Sequence, residues 1–136
     1  SPPPPSPSPP PQMVEMGTLP EHGVRVLAGG SQNIRTVRCL RPGDEDVTTA
    51  NYRSRTIAVQ CCTSDSSEGG CRRFVSGRGC LSGERDRGVA GFLLPRTFFE
   101  AEETCAQLGM MLCARSCAGT GCQYNRHPVY TRLPCA

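Results

Sequence analysis

Residues 97–113 read TFFEAEETCAQLGMMLC, the strongest local signal in the chain. The Thr97 hydroxyl can cap the orphan amides of a helix start, and Glu100, three residues on, completes a capping box. Ala101, Cys105 and Leu108 recur at helical spacing on one face, and Gly109 supplies a stop. The pattern predicts a helix over residues 98–108. Glu100, Glu102 and Glu103 fall in its first turns, where the helix dipole favours negative charge, so they read as surface acids. A catalytic carboxylate pair needs a second, converging acid, and none is evident.

On the N-terminal side, residues 24–27 and 34–40 are short apolar-rich runs separated by AGGSQN at 28–33, the pattern of two strands joined as a hairpin. Residues 41–46, with Pro42-Gly43, form a turn; residues 56–62 are the next strand candidate, with Ile57, Val59 and Cys61 on one face. Residues 64–70 and 76–86 are loop-like, and Cys71 and Cys80 are placed to pin them. On the C-terminal side come an apolar run at 110–113, a Gly-rich loop at 118–121 and a terminal strand at 128–133, just before Cys135. One principal helix among short antiparallel strands defines a small α+β class.

The chain has 136 residues, enough for one compact body, and eight of its 13 prolines lie in residues 1–11. The boundary falls near Gln12, giving a proline-rich segment over 1–12 and a folded domain over 18–136. The body contains ten cysteines (Cys39, Cys61, Cys62, Cys71, Cys80, Cys105, Cys113, Cys117, Cys122 and Cys135), and the whole chain is 37% hydrophobic without tryptophan. A modest apolar core with an even cysteine count predicts five disulfides and an oxidising compartment. Their pairing stays open, except that the adjacent Cys61 and Cys62 should leave a strand on opposite faces and reach different partners. A rival use is metal ligation by Cys113, Cys117, Cys122 and His127, but their spacing lacks paired Cys-x2-Cys knuckles, so no metal and no cofactor are assigned. An even count also leaves no spare thiol for nucleophilic catalysis.

All 15 basic residues are arginine, against 12 acids. Acids sit close to most of the arginines, and no basic stripe with interleaved aromatics forms, so nucleic acid is not an expected partner. No apolar run approaches the roughly 18 residues of a membrane span. The first residue is Ser1, with neither a starting methionine nor a signal segment, which suggests a processed product or a part of something larger.

Two resemblances follow from these residues. Residues 1–11, SPPPPSPSPPP, lack amide hydrogens at eight positions and predict a polyproline II rod of about 34 Å at roughly 3.1 Å per residue. The repeat resembles the Ser-Pro blocks of hydroxyproline-rich wall glycoproteins of plants and green algae. That likeness implies hydroxylation and glycosylation at Pro2, Pro3, Pro4, Pro5, Pro7, Pro9, Pro10 and Pro11. Residues 97–113, with GTGC at 119–122, Val129-Tyr130-Thr131 and the earlier Cys61-Cys62 and Cys71, resemble C-type-lectin-like domains of algal and protist extracellular type. The resemblance covers residues 56–135 and implies a lectin-like α+β fold in which Cys105 pairs with Cys135. It departs from that family's calcium sites, because Glu-Pro-Asn, Gln-Pro-Asp and Trp-Asn-Asp are all missing, and the one tight acidic run, Asp44-Glu45-Asp46, reads as an exposed turn.

The function expected is that of a non-enzymatic extracellular interaction module, in a cell wall, extracellular matrix or flagellar surface. Its partners would be matrix glycoproteins or glycans, including proline-rich segments of other chains. Tyr124, Arg126, His127 and Tyr130 are the candidate binding residues, since rings and guanidinium donors suit sugar faces and polyproline edges. Two alternatives are a calcium-independent lectin using the same residues and a small secreted hydrolase or ribonuclease using His22 and His127.

Overall fold

The computed structural model describes residues 17–31, 34–50, 55–63, 70–77, 79–82, 93–120, 122 and 124–135. The proline-rich rod and its eight candidate modification sites lie outside these residues, as do parts of the loops expected at 64–70 and 76–86. The elements run in the order β1 (Val24–Ala28), β2 (Thr36–Leu40), β3 (Thr49–Ala50), β4 (Arg55–Thr56), β5 (Cys61–Cys62), β6 (Phe74–Val75), β7 (Gly79–Cys80), α1 (Phe98–Gln107), β8 (Met111–Leu112) and β9 (Pro128–Pro134), with a 3-10 turn at Tyr124–Arg126 before β9. This is a small disulfide-rich α+β domain with one principal helix and short antiparallel strands.

The predicted hairpin forms as β1 and β2, with Val24 opposite Leu40, Leu27 opposite Thr36 and a register shift between Val26 and Leu27. The C-terminal strand β9 pairs with the other edge of β1, so the sheet order is β2–β1–β9. Being central, β1 is buried on both faces. Val24 and Val26 enter the larger apolar cluster with Leu40, Ile57, Phe98 and Tyr130, while Leu27 enters a second with Ala58, Tyr124 and Val129.

Helix α1 starts where its cap dictates. The Thr97 hydroxyl accepts from the Glu100 amide at 3.2 Å, and the Glu100 carboxylate accepts from the Thr97 amide at 2.8 Å. Phe98, Ala101, Thr104 and Cys105 face inward, and Gly109 follows the helix at φ 71°. The Phe98 ring meets Tyr130 edge-on at 6.1 Å. The Tyr130 hydroxyl donates to the carbonyls of Val47 and Arg96, tying the turn before β3 and the approach to α1 onto β9. Burial, with Glu100 nearby, pushes the phenol well above its ordinary range and keeps it a donor.

Residues 56–62 do not make the single continuous ladder expected. Ile57, Val59 and Cys61 share the larger cluster as predicted, but backbone pairing is divided among β3, β8 and β9. The cause is double-sided burial. Ala58 turns into the second cluster, exchanging bonds with Pro128 and Tyr130 of β9 at 2.8 and 3.1 Å.

All ten cysteines are bridged: Cys39–Cys135, Cys61–Cys105, Cys62–Cys113, Cys71–Cys117 and Cys80–Cys122. The expected pair Cys105–Cys135 is therefore corrected. Cys61 lies on the inner face of β5 beneath α1 and takes Cys105, while Cys62 turns the other way and takes Cys113. Cys135 cannot reach the helix, because β9 ends beside the start of β1, with Val24 opposite Pro134 on one side and Leu40 on the other. Cys39 and Cys135 thus close across the first residues of β1, over Gly23. A Cβ at that position would lie 2.6 Å from the Cys39 sulfur, and the backbone there has φ 77°. Replacing Cys39 and Cys135 together by serine is expected to cost roughly 2–4 kcal/mol, below the value for a free loop of similar length because four other bridges already restrict the unfolded chain. A urea-unfolding midpoint measured against wild type checks this.

Candidate functional site

The four residues expected to form a binding platform do not share one face: Tyr124 lies in the second apolar cluster and Tyr130 in the larger one, and three of the four are buried. Tyr124 and Tyr130 are 0% exposed and His127 4%. The Tyr124 hydroxyl accepts from the Ser82 amide at 2.7 Å, and His127 Nδ1 lies 3.0 Å from the Thr56 carbonyl, its ring edge-on to Tyr124. Rings without an accessible face cannot stack on a sugar, so the proposed platform reduces to Arg126, which is exposed. His22 and His127 do not converge either. His22 precedes β1 on an exposed turn, whereas the His127 carbonyl holds the Gly29 amide past the other end of β1. The intervening strand spans roughly 16 Å at about 3.3 Å per residue, beyond the hydrogen-bond reach that acid–base chemistry needs. The acidic turn is spent locally: the Glu45 carboxylate accepts from the Leu19 and Gly43 amides, which hold it below its ordinary value, and Asp44 accepts from the Arg41 amide.

An open groove of about 560 Å³ lies instead along the outer face of α1, between Phe99, Glu102, Glu103 and Ala106 of the helix and Met110, Met111 and Leu112 at its exit. Met111 is 37% exposed. Desolvation in the groove raises the Glu102 carboxyl above its ordinary value. A smaller depression of about 230 Å³ adjoins it, with Arg96, Glu100 and Gln107 and with Glu103 common to both. The result is an apolar trough with an acidic rim, on a helix held by Cys105 to β5. The sequence does signal it. In Phe98-Phe99 on the helix and Met110-Met111 beside the strand, the second residue of each pair is the less buried: Phe99 is half-buried against the larger cluster and Met111 is exposed.

Behind the sheet lies a buried polar centre that the sequence does not reveal, since Arg72 and Arg73 look alike there. Arg72 is exposed and Arg73 is 0% exposed. The Arg73 guanidinium donates from Nη2 to the Gly29 carbonyl at 2.7 Å and to Ser116 Oγ at 3.2 Å, from Nη1 to Asn125 Oδ1 at 2.7 Å, and from Nε to Gln60 Oε1 at 3.4 Å. Every acceptor is uncharged. Burial pushes the guanidinium down to about 10, so it stays cationic at neutral pH. Gly29 must be glycine, because a Cβ would stand 2.2 Å from the Tyr124 carbonyl oxygen.

Gln60 Oε1 also accepts from the Cys117 amide at 2.8 Å, which joins this centre to a cluster of sulfurs. The Sγ atoms of Cys62, Cys71, Cys113 and Cys117 all lie within 4.8 Å of one another and are buried. This set differs from the metal ligands weighed in the sequence. Cys113 and Cys117 are shared, but Cys122 is bridged to Cys80 and His127 is turned to Thr56.

Comparison with family models, with curated proteins and with solved structures returns no match to this chain. The site is thus read from its own geometry: a rigid body stapled by five bridges, with a groove on its helix. Among the described residues no helix is long and apolar enough to cross a membrane, and the dense bridging fits a secreted protein.

Arg73→Met is expected to cost only about 1 kcal/mol, because the alkyl stem is retained and Gly29 O, Asn125 Oδ1 and Gln60 Oε1 each keep a second donor. Arg73→Ala, which also leaves a cavity, is expected to cost about 3–4 kcal/mol. Paired thermal and urea unfolding of the two variants separates packing from charge.

Proposed function

We propose that the chain is a non-enzymatic extracellular interaction module whose α1 groove takes a proline-rich segment of another matrix glycoprotein. The observation that carries this reading is the groove itself, an open trough in which Phe99, Met110 and Met111 lie together beside two carboxylates. A polyproline II segment is already extended and loses little entropy on docking, and its ring edges pack on side chains such as Phe99, Met110 and Met111. The rim carboxylates of Glu102 and Glu103 can accept hydrogen bonds from serine or hydroxyproline hydroxyls along such a segment. The chain's own residues 1–11 have this composition, so copies of it could serve as one another's partners.

The resemblance to C-type-lectin-like domains belongs to the same proposal. It is supported by the capped helix running through a glycine into a short strand that ends at a bridged cysteine, although the helix cysteine is tied to Cys61 and not to the C-terminal strand. A wall, matrix or flagellar-surface setting rests on the Ser-Pro repeat.

A fluorescent peptide of sequence SPPPPSPSPPP, with and without 4-hydroxyproline, tests the reading by polarisation. Binding is expected for wild type. Ala106→Arg, which fills the groove while giving a helix-compatible Glu102–Arg pairing, is expected to weaken it at least tenfold, about 1.4 kcal/mol. No peptide binding, or equal binding by Ala106→Arg, would overturn the proposal, and glycan-array signal without peptide binding would favour the lectin alternative.

A further inference from the structure

The four-sulfur cluster is more compact than two bridges require. Cys62–Cys113 and Cys71–Cys117 lie against each other, with 3.5 Å between the sulfurs of Cys113 and Cys117 and 3.8 Å between those of Cys71 and Cys113. A tetrahedral zinc ion with Zn–S near 2.3 Å needs sulfur separations of about 3.8 Å. Two of the contacts between the bridges therefore already have the spacing of a four-thiolate shell, all four sulfurs lie within 4.8 Å of one another, and rotations about Cα–Cβ can bring the remaining pairs to it once the bonds are broken. We propose that Cys62, Cys71, Cys113 and Cys117, when their two disulfides are reduced, form a tetrathiolate site for one zinc ion.

The balance is simple. Two equivalents of a dithiol open the two disulfides, each dithiol leaving as its own cyclic disulfide and delivering two electrons and two protons. Zinc then binds as the four thiols release their four protons to solvent. Once either bridge is opened, a freed sulfur of one pair sits against the other pair, so exchange can carry the opening across the cluster.

A second observation points the same way. The Arg73 guanidinium is fully buried, has no carboxylate among its described partners, and is joined to the cluster through Gln60 Oε1, shared with the Cys117 amide, and through Ser116. Against two neutral disulfides this charge has no counter-charge among the described residues that it bonds. Against four thiolates around zinc, which together carry a net charge of minus two, it does. Buried charge is retained at a cost unless something balances it, and the reduced, metal-loaded cluster supplies that balance.

The test uses the full chain, reduced with a dithiol and freed of it anaerobically, then titrated with cobalt(II) as the spectroscopic probe and back-titrated with zinc. One cobalt per chain is expected, with thiolate charge-transfer and tetrahedral ligand-field bands that zinc abolishes. Cys71→Ser with Cys117→Ser should remove the bands. Cys80→Ser with Cys122→Ser, which also deletes one bridge but lies outside the cluster, should leave them. Cys71→His, which keeps a ligand, should retain one metal with the spectrum of a three-thiolate, one-imidazole site, and Arg73→Met should weaken affinity at least tenfold. The proposal is overturned if no stoichiometric site with these bands forms, or if the Cys80/Cys122 pair of changes removes it as fully as the Cys71/Cys117 pair.

Discussion

Consecutive residues in an extended strand point to opposite faces, and at Cys61-Cys62 both faces are bonded. Cys61 fixes the helix over the larger apolar cluster, and Cys62 fixes the turn beyond β8 on the other side. A two-residue strand has too little hydrogen bonding to hold its own register. Here the register is set covalently, and the segment of residues 57–62 is held as the axis on which both clusters are assembled. The rest of the architecture follows from this, since the many short pairings around it need not be stable alone.

The same rigidity explains how the domain can hold a fully buried guanidinium. Arg73 gathers Gly29, Gln60, Ser116 and Asn125, which come from four separate stretches of chain. In a body with a modest apolar core, desolvating a cation is a heavy cost, and neutral acceptors offset only part of it. The polar centre trades stability for a fixed arrangement of segments that carry little regular structure. The groove on α1 contrasts with it: open, apolar at its floor, acidic at its rim, and supported from beneath by Phe98, Ala101 and Cys105.

How far the sequence foretold this depends on the distance over which each feature is decided. The Thr97–Glu100 box spans four residues, and it set the helix start correctly. The hairpin of residues 24–40 and the shared face of Ile57, Val59 and Cys61 are also local patterns. The partner of Cys105 is not local, since it depends on which strand lies under the helix, and Cys61 is 44 residues away. Tyr124 and Tyr130 were legible as large rings beside a tight turn, but a ring's facing is settled by the sheet, and the sheet needs β1 between β2 and β9. Arg72 and Arg73 show the limit most plainly: identical neighbours, one exposed and one buried, with nothing in the local pattern to separate them.

The order of the bridges has a further consequence. Each of the five joins a cysteine at or before Cys80 to one at or after Cys105. No bridge is confined to either half, so neither half can mature on its own, and the first correct bridge must await synthesis of the helix. A protease that cuts anywhere between Cys80 and Cys105 releases nothing: the two pieces remain one covalent particle until a reductant reaches them. In a compartment crowded with hydrolases, damage to that stretch is thereby separated from loss of the molecule.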